Sequence, residues 1–257
     1  GATQGELRTM VAAYLEKWDI RTLKVILRGK TYGLGADKIR EDLVPAGSLD
    51  TESLEKLLAL DTVDDVIVAY EKVGHVTIPS EVMNSYKNEG NLGKIEDYLD
   101  TYHYFRLLKS IDPSSRPTKL FQDYVRSEID IRNLETILKL KFEGINGERV
   151  MDYFILGGKQ ISYRFGLQLA NADSIPAMAS DLARLEFYDV IKPLMEADQI
   201  SIRDIVREMK RYEMEQAKKF AHMYPLSVVP VIEYMIHKEN EVANIRTISR
   251  GVESGLD

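Results

Sequence analysis

The 257-residue chain contains no cysteine, and this absence excludes several kinds of site. A protein without thiols has no disulfide framework, no cysteine nucleophile and no thiolate-bound metal centre. The absence also fits a reducing compartment, where disulfides rarely persist. A chain of this length buries about 70–75% of its unfolded surface, so we expect domains that are stable through hydrophobic packing alone.

The sequence also lacks an excess of positive charge and any long apolar run. Lysine and arginine number 34 against 41 aspartate and glutamate residues, which gives a net charge of −7 at pH 7. This balance argues against a broad surface for nucleic-acid phosphates. A membrane-spanning helix needs about 18 or more apolar residues. The longest uncharged stretch, residues 220–232, is interrupted by Pro225 and Pro230, so the sequence predicts no membrane span.

One phrase of fifteen residues recurs along the chain with a period of 111 residues. Residues 19–33 and 130–144 are identical at eight of these fifteen positions, whereas unrelated segments would share about one. A weaker third copy occupies residues 241–255 and shares four identities with the second. A fixed period of this kind indicates a repeated structural unit.

Each copy of the phrase has the pattern of an amphipathic helix that ends in a turn. The apolar positions of the second copy are Ile131, Leu134, Ile137 and Leu138. This spacing places them on one helical face, and the glycine that closes each copy suits a helix end. The segments that begin at Ile95 and Ile205 also resemble each other, with the shift reduced to 110 residues by one indel. The repeated unit therefore extends over about 111 residues.

The rest of each unit reads mainly as helix. Amphipathic helices are predicted for residues 48–60, 92–111 and 201–224. Loops are predicted at residues 77–81, 112–118 and 172–177. Residues 64–70 are ambiguous between strand and helix, but strand runs joined by hairpin turns are absent. The predicted fold class is all-α.

Three short motifs superficially suggest nucleotide or metal chemistry. Gly33–Lys38 is rich in glycine, but it follows a helix instead of a strand and lacks the third glycine of a dinucleotide fingerprint. Leu156–Gln160 contains Gly-Lys without the earlier glycine or the Ser/Thr of a phosphate-binding loop. Asp64–Val68 resembles the acidic motif of isoprenoid synthases, but Val68 stands where a further Mg²⁺-binding carboxylate is needed. We interpret Gly33–Lys38 as a helix end and Asp64–Val68 as a solvated helix start, and we reject Leu156–Gln160 as a phosphate-binding loop.

No catalytic residue, cofactor site or metal site is predicted. The four histidines are His75, His103, His222 and His237. No pair of them has the spacing of zinc ligands, so we interpret them as residues of the surface or the edge of the core. Trp18 and the tyrosines at helical spacing are interpreted as core residues.

The polar residues of the repeated phrase allow two interpretations. Asp130, Arg132 and Asn133 could form a functional site, or they could hold helices together where neighbouring units meet. The second interpretation is favoured because a packing junction recurs in every unit, whereas an active site is seldom present three times.

The three copies and their surroundings carry a resemblance to a known family. Residues 18–30, 129–141 and 224–251 resemble the signature segments of the C subunit of archaeal-type (A-type) ATP synthases, which is similar to the d subunit of V-type ATPases. The resemblance extends over essentially the whole chain. Its most specific part is the last segment, with its Pro, Tyr, Lys-Glu and Asn-Ile-Arg pattern.

The resemblance implies an all-helical protein of three related units, arranged about a pseudo-threefold axis as a funnel or cup. The units would be residues 1–105, 106–216 and 217–257, with the first and third incomplete. Members of this family are non-catalytic and lie on the cytoplasmic face of the membrane. They join the D-type and F-type subunits of the central stalk to the proteolipid ring, and so couple ion translocation to ATP synthesis or hydrolysis.

Two alternatives remain open from the residues alone. A helical-repeat scaffold for soluble partners would share the fold, and failure to bind a proteolipid ring or stalk subunit would favour it. An all-α enzyme would need a deep pocket with converging carboxylates and measurable turnover.

Overall fold

The computed structural model describes residues 4–44, 46–74, 76–225, 229–253 and 255. Over these residues all regular secondary structure is helical and no strand is formed, which confirms the predicted all-α class. The chain divides into two compact units, Ala2–Ile111 and Asp112–Asp257. The division into three units of a sequence repeat stays a prediction.

The first unit is built around a long helix at its start. Its helices are α1 (Gln4–Thr31), α2 (Ala36–Glu41), α3 (Thr51–Ala59), α4 (Val63–Val73), α5 (Ser80–Glu89) and α6 (Gly93–Ser110). Helix α1 packs against α6 and α4, and α3 packs against α4. Leu23, Leu58 and Ile95 are central members of the hydrophobic core that these helices enclose.

The second unit follows the same plan, beginning with the longest helix of its core. Its α-helices are α7 (Arg116–Phe142), α8 (Glu148–Met151), α9 (Tyr163–Asn171), α10 (Ala179–Leu182), α11 (Tyr188–Met195), α12 (Ile202–Met223) and α13 (Val229–Glu253), and a 3₁₀ helix spans Pro176–Met178. Helix α12 packs against α7, α11 and α13. The core again forms one cluster, with Leu134, Leu169 and Met209 near its centre.

Polar side chains fix where several helices begin, because they accept hydrogen bonds from first-turn amides that lack a helical partner. Asp50 accepts from the N–H of Ser53 (2.8 Å) before α3. Thr62 accepts from Asp65 (3.1 Å) before α4, and Ser115 forms a capping box with Thr118 before α7.

The predicted helices are confirmed as α3, α6 and α12. The ambiguous residues 64–70 lie in helix α4. The predicted loops 77–81, 112–118 and 172–177 are confirmed only in their first part, because helices begin inside them at Ser80, Arg116 and Pro176.

All three copies of the repeated phrase end in the same backbone conformation. Gly33, Gly144 and Gly255 have φ angles of +69°, +80° and +68°. The N–H of each donates to the carbonyl three residues earlier, at 3.0, 3.0 and 3.1 Å. In the first two copies the next N–H also closes a 2.8 Å bond to the carbonyl five residues earlier, which completes a Schellman motif.

The apolar stripe is buried in two copies and exposed in the third. The stripe residues of α1 and α7, including Leu23 and Leu134, are fully buried. In α13 the corresponding Ile245 and Ile248 are 58% and 66% exposed, and the nearby Val252 is 71% exposed. Within the described residues, the third stripe is therefore not covered as the first two are.

Candidate functional site

A buried aspartate in the middle of α7 holds a loop of the second unit through its backbone amides. Asp130 is fully buried. Its Oδ2 accepts hydrogen bonds from the N–H groups of Lys159 (3.0 Å) and Gln160 (2.7 Å), and its Oδ1 accepts from Ile161 (2.9 Å). Burial raises the pKa of the Asp130 carboxyl, while the three amides and the charge of Arg126 act in the opposite direction. The site is a carboxylate clamp for backbone N–H groups.

The first unit contains the same clamp at the equivalent positions. Asp19 accepts from the N–H of Ser48 (2.8 Å) and Leu49 (3.0 Å), and also from the Ser48 hydroxyl (2.7 Å). These amides lie 29 and 30 residues after the aspartate, as Lys159 and Gln160 do after Asp130. The repeat in the sequence is thus accompanied by a repeat of side-chain contacts.

A second polar residue strengthens each clamp one helical turn later. Asn133 is buried, donates to the Ile155 carbonyl (2.8 Å) and accepts from the Ile155 N–H (2.8 Å). In the first unit the equivalent Thr22 hydroxyl donates to the Val44 carbonyl (3.4 Å). Both pairs are separated by 22 residues, so the contact is also repeated.

These contacts correct the interpretation of the polar residues in the phrase. Asp130 and Asn133 are structural, but they bind a loop of their own unit and not a junction where units meet. Arg132 belongs to neither contact, because it lies on the exposed face of α7 with Glu128 at 4.0 Å. Sequence alone places the three side by side without showing that they point to different surroundings.

The three motifs with a superficial likeness to ligand sites are structural in the described residues. Gly33–Lys38 comprises the turn that follows α1 and the first residues of α2. The Leu156–Gln160 loop is held by Asp130, and its Lys159 ammonium pairs with Glu186 (2.8 Å). Asp64 and Asp65 lie in the first turn of α4. No group of three or more histidine and acidic side chains in the described part of the chain could hold a metal ion.

The histidines and aromatic residues are distributed between core and surface. His103 is buried in α6, His237 faces Glu233 (3.1 Å), and His75 lies outside the described residues. Trp18 is in the core as expected. The same expectation is confirmed for Tyr14, Tyr70 and Tyr104 but is wrong for Tyr32 and Tyr234, which are mostly exposed.

Ion pairs join the long helix of each unit to the helix that packs along it. In the first unit, Lys24 of α1 pairs with Asp100 of α6 at 2.6 Å. The equivalent residues of the second unit are Glu135 of α7 and Lys210 of α12, which approach to 3.8 Å with the charges reversed. A second pair in the first unit joins Arg28 of α1 to Glu96 of α6, one helical turn further along α1, and this pair is bidentate.

The second unit has no counterpart of that bidentate pair. Lys139 stands at the position of Arg28, and Val206 stands at the position of Glu96. Lys139 pairs instead with Glu135 on its own helix, at 2.5 Å. A groove of about 500 Å³ opens beside these residues.

We name this cavity the α7–α12 groove. It is lined by Glu135, Lys139, Phe142, Glu143, Ile200, Ser201, Ile202, Arg203 and Val206. No motif in the sequence indicates it. The sequence shows only that valine stands at position 206, where the first unit has Glu96. This difference becomes informative once α7 and α12 are known to pack together.

Among the helices of the described residues, none combines the length and the apolar composition that a membrane crossing needs.

Comparison with known proteins identifies a family and several relatives. The model of the ATP synthase (C/AC39) subunit family matches residues 2–257. The chain is 32% identical to the C subunit of the A-type ATP synthase of Methanosarcina mazei, over 99% of this chain and 69% of that protein. It is 31% identical to the protein of the same name from Archaeoglobus fulgidus, over 98% of this chain and 70% of the relative.

Proposed function

Because the chain belongs to the ATP synthase (C/AC39) subunit family, we propose that it is a non-catalytic subunit that links the central stalk of an A-type ATP synthase to the membrane proteolipid ring. The observation that carries this proposal is the match over nearly the whole chain to proteins named as the C subunit of A-type ATP synthases. In this role the protein transmits rotation and so couples ion translocation to ATP synthesis or hydrolysis.

The contacts of the buried polar residues support a structural role. The most prominent buried polar side chains of the repeat, Asp19, Asp130 and Asn133, are used to hold loops. Such a protein acts through its surfaces and its rigidity, and needs no cofactor or metal.

The three-unit division belongs to the same proposal. The units are residues 1–105, 106–216 and 217–257, arranged about a pseudo-threefold axis as the resemblance implies. Two observations support the third unit: Gly255 repeats the helix-ending conformation of Gly33 and Gly144, and the exposed stripe of α13 repeats the buried stripes of α1 and α7.

The proposed partners are the D-type and F-type subunits of the central stalk and the polar loops of the proteolipid ring. The protein then lies on the cytoplasmic face of the membrane and is bound there through the ring, without insertion of its own helices. An interface of this kind combines apolar contacts at its centre with a polar rim.

The test is a binding experiment with purified components. The chain is incubated separately with the central-stalk subunits and with the detergent-solubilised proteolipid ring, and complexes are isolated by affinity capture. Binding to both, with no ATP turnover by the chain alone, is the expected result. A folded helical chain that binds neither component would contradict the proposal and favour a scaffold for other soluble partners, whereas ATP turnover by the chain would favour an enzyme.

A further inference from the structure

A lysine near the end of the long helix in each unit holds the end of a shorter helix. Lys30 of α1 donates to the carbonyl of Leu58 in the last turn of α3, at 2.7 Å. Lys141 occupies the equivalent position of α7 and donates to two carbonyls at the end of α9, those of Ala170 (3.0 Å) and Ala172. The repeat therefore includes a lysine that satisfies helix-end carbonyls.

In the second unit the same ammonium also contacts an asparagine. Lys141 Nζ donates to Oδ1 of Asn146 at 2.8 Å. Lys141 is buried, and this burial lowers the pKa of its ammonium, while the charge of Asp173 acts in the opposite direction. The three oxygens that accept its hydrogen bonds are all uncharged. A carboxylate in place of the Asn146 amide would give this buried cation an opposite charge at hydrogen-bond distance.

Asn146 is also followed by glycine, which is true of none of the other seven asparagines in the sequence. The backbone nitrogen of the residue after an asparagine can attack the carbonyl carbon of the asparagine side chain. Glycine has no Cβ, so Gly147 leaves this attack unhindered. Asn146 is exposed, and water therefore reaches it.

The contacts around this bond favour the attack. Negative charge develops on Oδ1 when a nucleophile adds to the side-chain carbon, and the Lys141 ammonium already donates to that atom. A donor placed in advance at this oxygen acts as an oxyanion hole does. Two longer contacts restrain the reacting groups. Nδ2 of Asn146 lies 3.3 Å from the Gly144 carbonyl oxygen. The Gly147 nitrogen lies 3.3 Å from the Ala170 carbonyl oxygen. Both exceed the usual N–H···O range, so their resistance is weak.

We propose that Asn146 is a site of spontaneous modification, at which the chain converts this asparagine to an aspartate that pairs with Lys141. The Gly147 nitrogen bonds to Cγ of Asn146, the Cγ–Nδ2 bond breaks, and Nδ2 leaves as ammonia with the proton from the Gly147 nitrogen. The product is a cyclic succinimide. Water then adds its hydroxyl to one carbonyl of the ring, breaks the bond from that carbonyl to the Gly147 nitrogen, and returns a proton to this nitrogen.

The position of Lys141 also decides which carbonyl water opens. Addition at Cγ leaves the peptide bond to Gly147 in place and produces an ordinary aspartate. Addition at the main-chain carbonyl leaves Gly147 joined through the side chain as isoaspartate, which lengthens the main chain. Because Lys141 donates to the oxygen on Cγ, it activates that carbonyl, and we expect aspartate to be the main product. This inference concerns the second unit alone and is independent of the function proposed above.

The first experiment follows the full chain by peptide mass spectrometry during incubation in mildly alkaline buffer. A synthetic peptide of residues 143–151, which has the same Asn-Gly bond but no Lys141, is the reference. Electron-transfer fragmentation distinguishes aspartate from isoaspartate. We expect the acid to form at Asn146 before any other asparagine, with a fraction of aspartate at least about twofold that of the peptide. No conversion at Asn146, or a fraction of aspartate equal to that of the peptide, overturns the inference.

Lys141→Met removes the ammonium and keeps an unbranched apolar stem. We expect conversion at Asn146 to slow about tenfold or more and the fraction of aspartate to fall to that of the peptide. Lys30→Met is the matched control, because it removes the equivalent contact in the first unit and should leave both quantities unchanged. Circular dichroism reports whether each variant is folded, and the comparison of the wild-type chain with the peptide stands without any variant. A folded Lys141→Met chain with wild-type rate and products contradicts the role of the lysine.

Asn146→Asp supplies the product directly. Pairing with Lys141 lowers the pKa of the new carboxyl, so its contribution to stability is present above the pKa of a free aspartate, about 4, and is lost as the pH falls through the lowered value. We expect a urea midpoint above that of the wild type at neutral pH, and no increase for Asn84→Asp at an exposed position of α5. An Asn146→Asp chain that is no more stable than the wild type at neutral pH overturns the pairing.

Discussion

At the scale of single residues, a buried aspartate in each unit provides acceptors for a loop whose amides have no helical partner. A hydrogen bond to a charged group contributes about 1.5–3 kcal/mol, and an amide left buried without a partner costs about 1–3 kcal/mol. Asp19 and Asp130 therefore fix the path of the loop after the long helix. This arrangement requires the loop to approach the carboxylate very closely.

That close approach predicts which glycines tolerate a side chain. A Cβ on Gly47 would overlap the Asp19 carboxylate, and one on Gly158 would overlap Asp130 Oδ1 and lie 3.1 Å from the Ile161 carbonyl oxygen. We expect Gly47→Ala and Gly158→Ala each to lower the free energy of unfolding by about 2–3 kcal/mol. Urea unfolding followed by circular dichroism measures the change.

Gly35→Ala is the control for this comparison. Gly35 has an ordinary φ of −67° and no heavy atom within 4 Å of the added Cβ, so its replacement should cost less than about 1 kcal/mol. Equal effects at all three glycines would show that the loops are not held at the aspartates as described.

A second residue-scale prediction concerns Asp97 on α6. Burial raises the pKa of this carboxyl to about 6, with the attraction of Lys24 opposed by Asp100 and Glu96. The folded chain therefore holds a proton between about pH 6 and pH 4 that the unfolded chain releases. Binding of this proton stabilises the folded chain at low pH, and the stabilisation is lost as the pH rises through 6.

Asp97→Asn removes the buried charge while keeping the shape of the side chain. We expect it to be about 1 kcal/mol more stable than the wild type at pH 7.5, an amount reduced by the partial exposure of the site. At pH 4 the difference should vanish. Thermal unfolding at both pH values measures it, with the exposed Asp61→Asn as control. A stabilisation that is the same at both pH values would contradict the argument.

At the scale of the helix, each copy of the repeated phrase contains the glycine at which its helix ends. The left-handed conformation at Gly33 and Gly144 is adopted easily only by glycine. A Cβ at either position meets no atom within 4 Å, so the cost of a side chain comes from the backbone alone.

We therefore expect Gly33→Ala and Gly144→Ala to destabilise the chain equally, by about 1–2 kcal/mol each. Chemical denaturation of the two single variants and of the double variant provides the measurement. The effects should add, because the two glycines belong to separate units with separate cores. A markedly larger cost at one glycine would indicate a steric contact that the structure does not contain.

Helices with an apolar stripe could be predicted from the sequence, as α3, α6 and α12 were, and α3 and α12 also begin at a side-chain cap, Asp50 and Ser201. The ambiguity at residues 64–70 arose because Val66, Ile67 and Val68 also suit a strand. The cap at Thr62 and the burial of Val63 and Tyr70 decide for helix α4.

The partners of Asp130 could not be predicted, because they lie 29 to 31 residues away and are backbone groups without a signature of their own. The α7–α12 groove was missed for a related reason. It depends on which residue faces Lys139 across two packed helices, and a single valine at position 206 carries no signal by itself.

At the scale of the whole molecule, each unit has its own hydrophobic core. One cluster runs from Ile20 to Leu99 and the other from Ile131 to Met209, so neither crosses the boundary at residues 111 and 112. A domain with its own core can in principle fold alone. We therefore expect residues 2–111 and 112–257, produced separately, to be helical and to unfold cooperatively.

Equivalent core residues allow this independence to be tested in the full chain. Leu23 and Leu134 occupy the same position of the repeat and are both fully buried. Each Leu→Ala change should cost about 2–5 kcal/mol in its own unit. Hydrogen exchange measured by mass spectrometry should show faster exchange in residues 2–111 for Leu23→Ala and in 112–257 for Leu134→Ala. Faster exchange throughout the chain in either variant would mean that the two cores unfold as one, so that strain introduced in one unit would reach the other.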